Sequence, residues 1–317
     1  MKTNLDLINE CDNFPYYENG PEEYTKLRST CWELHLEEGS GPYGYMRQSV
    51  VESMPWDHDV WQIDSERKSI APVPKRYSHT QGEIIRETLE KAKTESIFQI
   101  LRGWRNELYP VHGPYSSRKP MVSMERAGSA LFGINTYGVH MTAYVCTPQE
   151  GMKIWVPRRA RNKQTYGGML DNTVAGGLST GEKPFECLVR EAAEEGSFSE
   201  QLVRSNAKAC GTVSYFHIRD ARAGGEAGLL QPECQYVFDM EIGAEVIPKP
   251  GDNEVEDFYL WTVDEVKRAL AGGQFKPNCA AVLLDFFIRR GILTAENEKD
   301  YMEIVSRLHR KLPFPTP

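Results

Sequence analysis

The sequence predicts an α/β fold, an α/β/α sandwich built on a mixed sheet, preceded by a smaller α+β unit. Three observations predict it. Strand-like runs alternate with helical patterns through the second half of the chain. A glycine-rich loop and an acidic amphipathic helix interrupt those strands, and the breaker Gly113-Pro-Tyr-Ser-Ser-Arg-Lys-Pro120 separates them from a leading part of different character. With 317 residues and 40% hydrophobic content, the chain can form two domains, or one large one with an extension. The expected units are residues 1–125, 126–295 and a helical tail over 296–317.

In the leading unit, residues 5–11 and 83–91 carry helical patterns, and residues 95–104 repeat apolar side chains at Ile97, Ile100, Leu101 and Trp104. Ile70-Ala-Pro-Val-Pro74 reads as a breaker between them. Beyond residue 120, runs rich in aromatic and β-branched residues predict strands over 137–146, 153–157, 211–218 and 235–242, with a further strand-like run at Phe258-Tyr-Leu-Trp261. Thr262-Val-Asp-Glu265 opens a helix with a capping box. Residues 278–289 form another, with Ala281, Leu284, Asp285 and Ile288 on its periodic rows, and a last helix spans 298–311 before Pro313-Phe-Pro-Thr-Pro317.

The chemistry concentrates in Gly176-Gly-Leu-Ser-Thr-Gly-Glu182 and, eight residues later, Arg190-Glu-Ala-Ala-Glu-Glu195. Pro184 suits the first turn of a helix over 184–195. At about 100° per residue, Leu188, Val189, Ala192 and Ala193 fall on one arc, and Glu186, Arg190, Glu191, Glu194 and Glu195 on the other. Glu191, Glu194 and Glu195 then crowd at i, i+3 and i+4 and repel one another, which a hard divalent cation such as Mg²⁺ or Mn²⁺ relieves. The competing interpretation is a solvated face laced by i,i+4 pairs among Glu186, Arg190 and Glu194.

The spacing Gly-x5-Glu-x7-Arg-Glu-U-x-Glu-Glu-x-Gly-U, with U apolar, is met at Gly176, Glu182, Arg190, Glu191, Ala192, Glu194, Glu195 and Phe198; Ser197 replaces the late glycine. This segment resembles the box of Nudix hydrolases, whose fold is the Nudix α/β/α sandwich. Several flanking stretches resemble the thiamin pyrophosphokinase-related branch, with its DUF4743-type N-terminal region: Gly103-Trp-Arg-Asn-Glu-Leu-Tyr109, Phe132-Gly-Ile-Asn-Thr-Tyr-Gly-Val-His140, Trp155-Val-Pro-Arg-Arg159, Gly167-Gly-Met-Leu-Asp-Asn-Thr-Val-Ala-Gly-Gly177 and Tyr236-Val-Phe-Asp239. The resemblance implies a small-molecule diphosphate substrate, thiamin diphosphate or an oxidised analogue, cleaved to monophosphate and phosphate. It further implies that Glu191, Glu194 and Glu195 hold Mg²⁺ or Mn²⁺ with the Ala175 or Gly176 carbonyl, that Arg190 orients the glutamates, and that Glu182 adds an outer contact. A later carboxylate, Glu233, Glu254 or Glu256, completes such sites. Arg158, Arg159, Arg161 and Lys163 form a cationic cluster that is either solvated or reaches the diphosphate. Trp104, Tyr109, Tyr137 and Trp155 are core residues or ring-stacking partners; His140 and His217 are assigned no role.

Other classes are disfavoured. A net charge of −8 gives no electrostatic basis for nucleic-acid binding. Glu182 follows the glycine-rich loop where a P-loop needs lysine, and no serine triad is recognisable. The stretch Asp171-Asn-Thr-Val-Ala-Gly-Gly177 also resembles the isopentenyl-diphosphate isomerase version of the fold, but alanine stands at the catalytic cysteine position and has nothing to protonate with. The seven cysteines show no zinc spacing, and the start of the chain is neither an apolar anchor nor a signal, so a cytosolic protein with no membrane partner is expected. An 8-oxo-dGDP-type nucleoside diphosphate is the alternative substrate. A non-catalytic ligand-sensing Nudix domain is the alternative class, disfavoured because every box glutamate is kept.

Overall fold

A computed structural model describes residues 1–37, 41–74, 79–114 and 120–317. Residues 115–119 of the expected boundary breaker lie outside the described set. The first part comprises α1 (Asn4–Cys11), α2 (Pro21–Arg28), β1 (Cys31–Leu34), β2 (Gly44–Arg47), α3 (Gln48–Ser53), β3 (Trp61–Asp64), β4 (Ser69–Pro72), α4 (Gln81–Thr94), a 3₁₀ turn at Gln99–Gly103, β5 (Leu108–Val111), β6 (Val122–Glu125), a 3₁₀ turn at Arg126–Gly128 and α5 (Ser129–Phe132). The second part comprises β7 (Thr136–Thr147), β8 (Gly151–Arg159), β9 (Val174–Gly177), α6 (Pro184–Gly196), α7 (Glu200–Asn206), β10 (Ala207–Ile218), β11 (Leu230–Glu241), β12 (Val255–Thr262), α8 (Val263–Ala271), α9 (Pro277–Arg289) and α10 (Tyr301–Arg307).

The central sheet runs β10-β11-β7-β8-β12. β11 and β7 are parallel and the other pairs antiparallel, so the sheet is mixed. Early in its course β7 pairs with β9, from Gly138↔Gly177 to Met141↔Val174; near its end it pairs with β8. On one face Val139, Met141, Phe238 and Met240 pack against Leu188 and Ala192 of α6 and Val203 of α7. On the other, Tyr144, Ile154, Val156, Tyr215 and Val237 meet α8, α9 and α10. Leu7, Ile8 and Cys11 of α1 join that second face. Two helical layers thus enclose the sheet. Among the described residues no helix is long and apolar enough to cross a membrane.

The smaller sheet, ordered β2-β1-β4-β3, shares a separate core with α4, containing Trp32, Leu34, Ile70, Ile84, Leu89 and Phe132. The expected breaker at residues 70–74 begins instead within β4. Pro72 pairs with Trp61 of β3, but its nitrogen faces the β1 side, where pairing ends at Ile70, so no ladder bond is lost. The helical pattern over 95–104 yields only the short 3₁₀ turn, after Ser96 leaves α4 at φ 54°. Glu226 accepts from the N–H groups of Gln99 and Ile100 and replaces a continuing helix. The last helix is shorter than residues 298–311, because beyond Leu308 the chain turns along β10: Ser214 N–H donates to Leu308 O and Arg310 N–H to Ser214 O. Buried Asp12, just after α1, binds Arg310 at 2.9 Å and Arg307 at 3.3 Å.

Ser197 ends α6 in the left-handed region at φ 54°, ψ 29°. The Cβ makes that conformation unfavourable. Ser197→Gly is therefore expected to raise stability by about 0.5–1 kcal/mol, read as a higher melting temperature with unchanged activity. A lower melting temperature would show that the Ser197 hydroxyl contributes more than its backbone costs.

Candidate active site

α6 presents its acidic face beside β9, with Arg190 as the hub. The guanidinium donates to both Glu182 carboxylate oxygens, at 2.9 and 3.1 Å, and through Nη1 to Glu191 at 2.8 Å and Glu194 at 3.0 Å. Burial pushes the Glu191 carboxyl above the ordinary carboxylate range, with the Glu194 charge acting the same way and Arg190 opposing both. For Glu182 burial also acts upward, but the bidentate Arg190 bond prevails and holds the group low.

Glu195 differs from its neighbours. It is buried, and its carboxylate accepts from the Ala175 N–H at 2.9 Å. It departs from the polar arc expected for it because seven residues make nearly two full turns, which aligns Glu195 with Leu188 and turns it toward β9. Burial, reinforced by Asp171 and Glu191, pushes its carboxyl well above the ordinary range.

β9 approaches this helix closely enough to exclude side chains. A Cβ on Gly176 would sit 2.1 Å from Cδ of Glu191, and one on Gly177 would sit 1.9 Å from the Tyr109 hydroxyl. Glu191 therefore rests directly against bare backbone. The donor set, carboxylates of Glu191 and Glu194 beside the Gly176 peptide, is hard oxygen with more negative charge than Arg190 neutralises. The Glu191 carboxyl, held above its ordinary range and packed against bare backbone beside Glu194, fits a divalent cation of the Mg²⁺ or Mn²⁺ type.

These groups open on a cavity of about 720 Å³. Of the expected residues, Gly176, Glu182, Arg190, Glu191 and Glu194 line it. Arg159, Lys163 and Glu233 line it as well. Glu195 borders a smaller hollow behind, with Arg159, Asp171 and Glu254. Arg158 and Glu256 are not brought to the cavity. Adjacent residues of a strand face opposite sides, so while Arg159 turns inward to Asp171 at 2.5 Å, Arg158 turns outward to Gly168 O and the Tyr259 ring. Glu256 lies at an irregularity in the β12–β8 register that leaves it exposed, 3.9 Å from Arg161. Glu254 is the carboxylate of that segment on the cavity wall, bound to Lys163 and 3.4 Å from Arg105. Glu233 accepts from the Tyr215 hydroxyl, from Gln231, from Thr136 at 3.2 Å and from Gln235 at 3.2 Å.

Tyr109 and Tyr137 face the cavity, whereas Trp104 and Trp155 pack in the two cores. Sequence reasoning assigned no site role to Arg105, Glu107 or Arg126, which also line the wall. The first two fall inside the quoted 103–109 stretch, the one signal that pointed at them; Arg126 had none.

A second donor cluster, His140, Asp171 and Cys279, lies beside the site. It is already closed by its own bonds. Asp171 accepts from Arg159 at 2.5 Å and from the Cys279 thiol at 2.6 Å, and burial keeps that thiol protonated. Asn172 Nδ2 donates to Cys279 O, so its Oδ1 faces His140 Nδ1 at 2.6 Å and places the imidazole proton there. Burial pushes His140 down to about 4. As pH falls the unfolded chain therefore takes up this proton first: the stabilisation is complete above about 6.5 and is lost between there and about 4, on the order of 3 kcal/mol. Urea midpoints measured from pH 7 to pH 4 are expected to fall accordingly, and less steeply in His140→Gln; equal slopes in both proteins would refute the assignment.

With this geometry in place, comparison with known proteins defines the class. A family profile described as NUDIX domain matches residues 136–280, and one described as Domain of unknown function (DUF4743) matches residues 22–136. The chain is 40% identical over 263 residues to the uncharacterized protein YJR142W of Saccharomyces cerevisiae, covering 81% of this chain and 76% of that one. It is 37% identical over 214 residues to Nudix hydrolase 20, chloroplastic, of Arabidopsis thaliana, covering 67% of this chain and 54% of that protein, so the match spans about half of the plant relative. Isopentenyl-diphosphate Delta-isomerase of Streptomyces griseus is 30% identical over 138 residues, 43% of this chain and 64% of the isomerase. The chain carries a Nudix domain joined to an N-terminal DUF4743 region, is homologous to Arabidopsis Nudix hydrolases, and is a hydrolase of diphosphate anhydride linkages.

Proposed function

We propose that the protein hydrolyses the diphosphate of thiamin diphosphate or an oxidised analogue such as oxothiamin diphosphate, releasing the monophosphate and orthophosphate. The observation that carries this reading is the mixed lining of the cavity: beside the acidic cluster of Glu191 and Glu194, Tyr109, Tyr137, Tyr215, Gln235 and Glu233 provide aromatic and hydrogen-bonding surface for an organic ring system.

Glu191 and Glu194, with the Ala175 or Gly176 carbonyl, would hold Mg²⁺ or Mn²⁺; Glu195 is set one layer back against Ala175. Bound there, a divalent ion neutralises diphosphate oxygens and makes a water more acidic. Arg190 keeps the carboxylates in register, and Glu182 fixes Arg190 from the glycine-rich loop. Water attacks the terminal phosphorus, the bond to the bridging oxygen breaks, and a glutamate of the cluster accepts the water proton.

The test is phosphate release by purified protein with Mg²⁺ across thiamin diphosphate, oxothiamin diphosphate, ADP-ribose and 8-oxo-dGDP. The thiamin compounds are expected to give the highest kcat/KM. Preference for 8-oxo-dGDP would transfer the assignment to nucleoside diphosphates, and tight binding without turnover would make the protein a ligand sensor.

A further inference from the structure

The N-terminal region reaches the glycine-rich loop through a set of specific bonds. Thr180 donates its N–H to Leu108 O at 2.8 Å and its hydroxyl to Ser123 Oγ at 2.9 Å, and the Ser179 hydroxyl donates to Glu107 at 3.0 Å. Tyr109 fills the space that a side chain on Gly177 would occupy. The β5–β6 hairpin is thereby fastened to the loop that leads into α6.

That hairpin carries the turn Arg126–Gly128 to the cavity wall. Arg126 N–H donates to Glu107 O at 2.8 Å, Nη1 donates to the Glu107 carboxylate at 2.8 Å, and the guanidinium lies 5.6 Å from the centre of the Tyr109 ring. Among the described residues Nε and Nη2 have no protein acceptor, and the side chain is accessible within the cavity. Its charge is felt at Glu191, which places it toward the acidic end.

Most of the other cations on the wall are bound to protein groups, and Arg105 is 3.4 Å from Glu254. Arg159 is bound to Asp171 and Thr165, Lys163 to Glu254, and Arg219 to Gln231 and two backbone carbonyls. Arg190 serves three glutamates. Lys276, which lines the same cavity, acts electrostatically on His140 and Asp171 and lies 5.9 Å from the Tyr166 ring.

We propose that the N-terminal region supplies the anion-binding half of the active site, with Arg126 donating through Nε and Nη2 to oxygens of the terminal phosphate while Glu107 holds its orientation. The inference rests on the diphosphate-hydrolase reading but on no particular organic group. A planar guanidinium matches two phosphoryl oxygens, and as the terminal phosphoryl group transfers, those oxygens carry the charge that most needs a fixed donor.

The test uses the full chain loaded with Mn²⁺ and inorganic phosphate as the probe, with bound phosphate read from ³¹P relaxation and Mn²⁺ affinity from electron paramagnetic resonance. Arg126→Gln is expected to weaken phosphate binding by about 10- to 100-fold, the worth of charge-assisted hydrogen bonds, with Mn²⁺ affinity and melting temperature little changed. Arg126→Lys, which keeps the charge and loses the fork, should fall between. With thiamin diphosphate, kcat should drop about 10²-fold in Arg126→Gln and recover in part on adding guanidinium ion. Undiminished phosphate affinity in Arg126→Gln would overturn the proposal, as would parallel loss of Mn²⁺ and phosphate, which would make Arg126 a counter-charge for Glu191. If Arg126→Gln fails to fold, wild-type phosphate affinity in Arg126→Lys overturns it equally. Wild-type protein that binds phosphate through Arg126 yet leaves thiamin diphosphate intact would refute the substrate reading and leave this one standing.

Discussion

Glu194→Gln and Glu195→Gln are each expected to lower turnover by about 10²- to 10⁴-fold while the fold persists. The two substitutions replace a carboxyl by its amide in different settings. The Glu194 side chain is half exposed, and its bond to Arg190 at 3.0 Å contributes at most about 1 kcal/mol in so open a position. Glu195 is buried and its carboxyl is pushed far upward, so a neutral amide is easier to bury and can still accept from the Ala175 N–H. Melting temperatures should therefore stay near wild type in Glu194→Gln and stay level or rise in Glu195→Gln. Phosphate release and calorimetry on the same preparations separate chemistry from stability. Wild-type-like rates in both variants would defeat the assignment of this face as the reaction centre.

Gly176→Ala carries the second large effect. The added methyl would lie 2.1 Å from Glu191 Cδ, so either the carboxyl swings away or β9 shifts from β7. Both displace a reacting group by about an ångström, which costs on the order of 10²-fold in rate. Mn²⁺ affinity is expected to fall together with kcat, unlike the Arg126 variants, in which it is retained. An alanine variant with normal rate and normal Mn²⁺ affinity would show that Glu191 does not depend on that close approach.

The parts legible in the sequence are those governed by short-range periodicity. α6, the capping box at Thr262 and Glu265, and the main strands of the mixed sheet have strong local patterns, and the structure contains each of them. β9 was not legible, since Val174-Ala-Gly-Gly177 has almost no side chains to make a pattern; it exists because β7 offers it a partner. The contrast between Arg158 and Arg159 depends on which way the pleat falls at the end of β8, and the contrast between Glu254 and Glu256 on a register irregularity. Neither is encoded within a few residues. Arg126 lies more than fifty residues from α6 in the chain, and only tertiary packing of β5 and β6 brings it near.

The pairing of Asp12 with Arg307 and Arg310 bears on how the molecule is made. A ribosome releases α1 long before the segment that neutralises this carboxylate, so α1 cannot reach its final environment until Arg307 and Arg310 have emerged. Until then the flank of the sheet that α1 and α10 cover together stays open in the nascent chain.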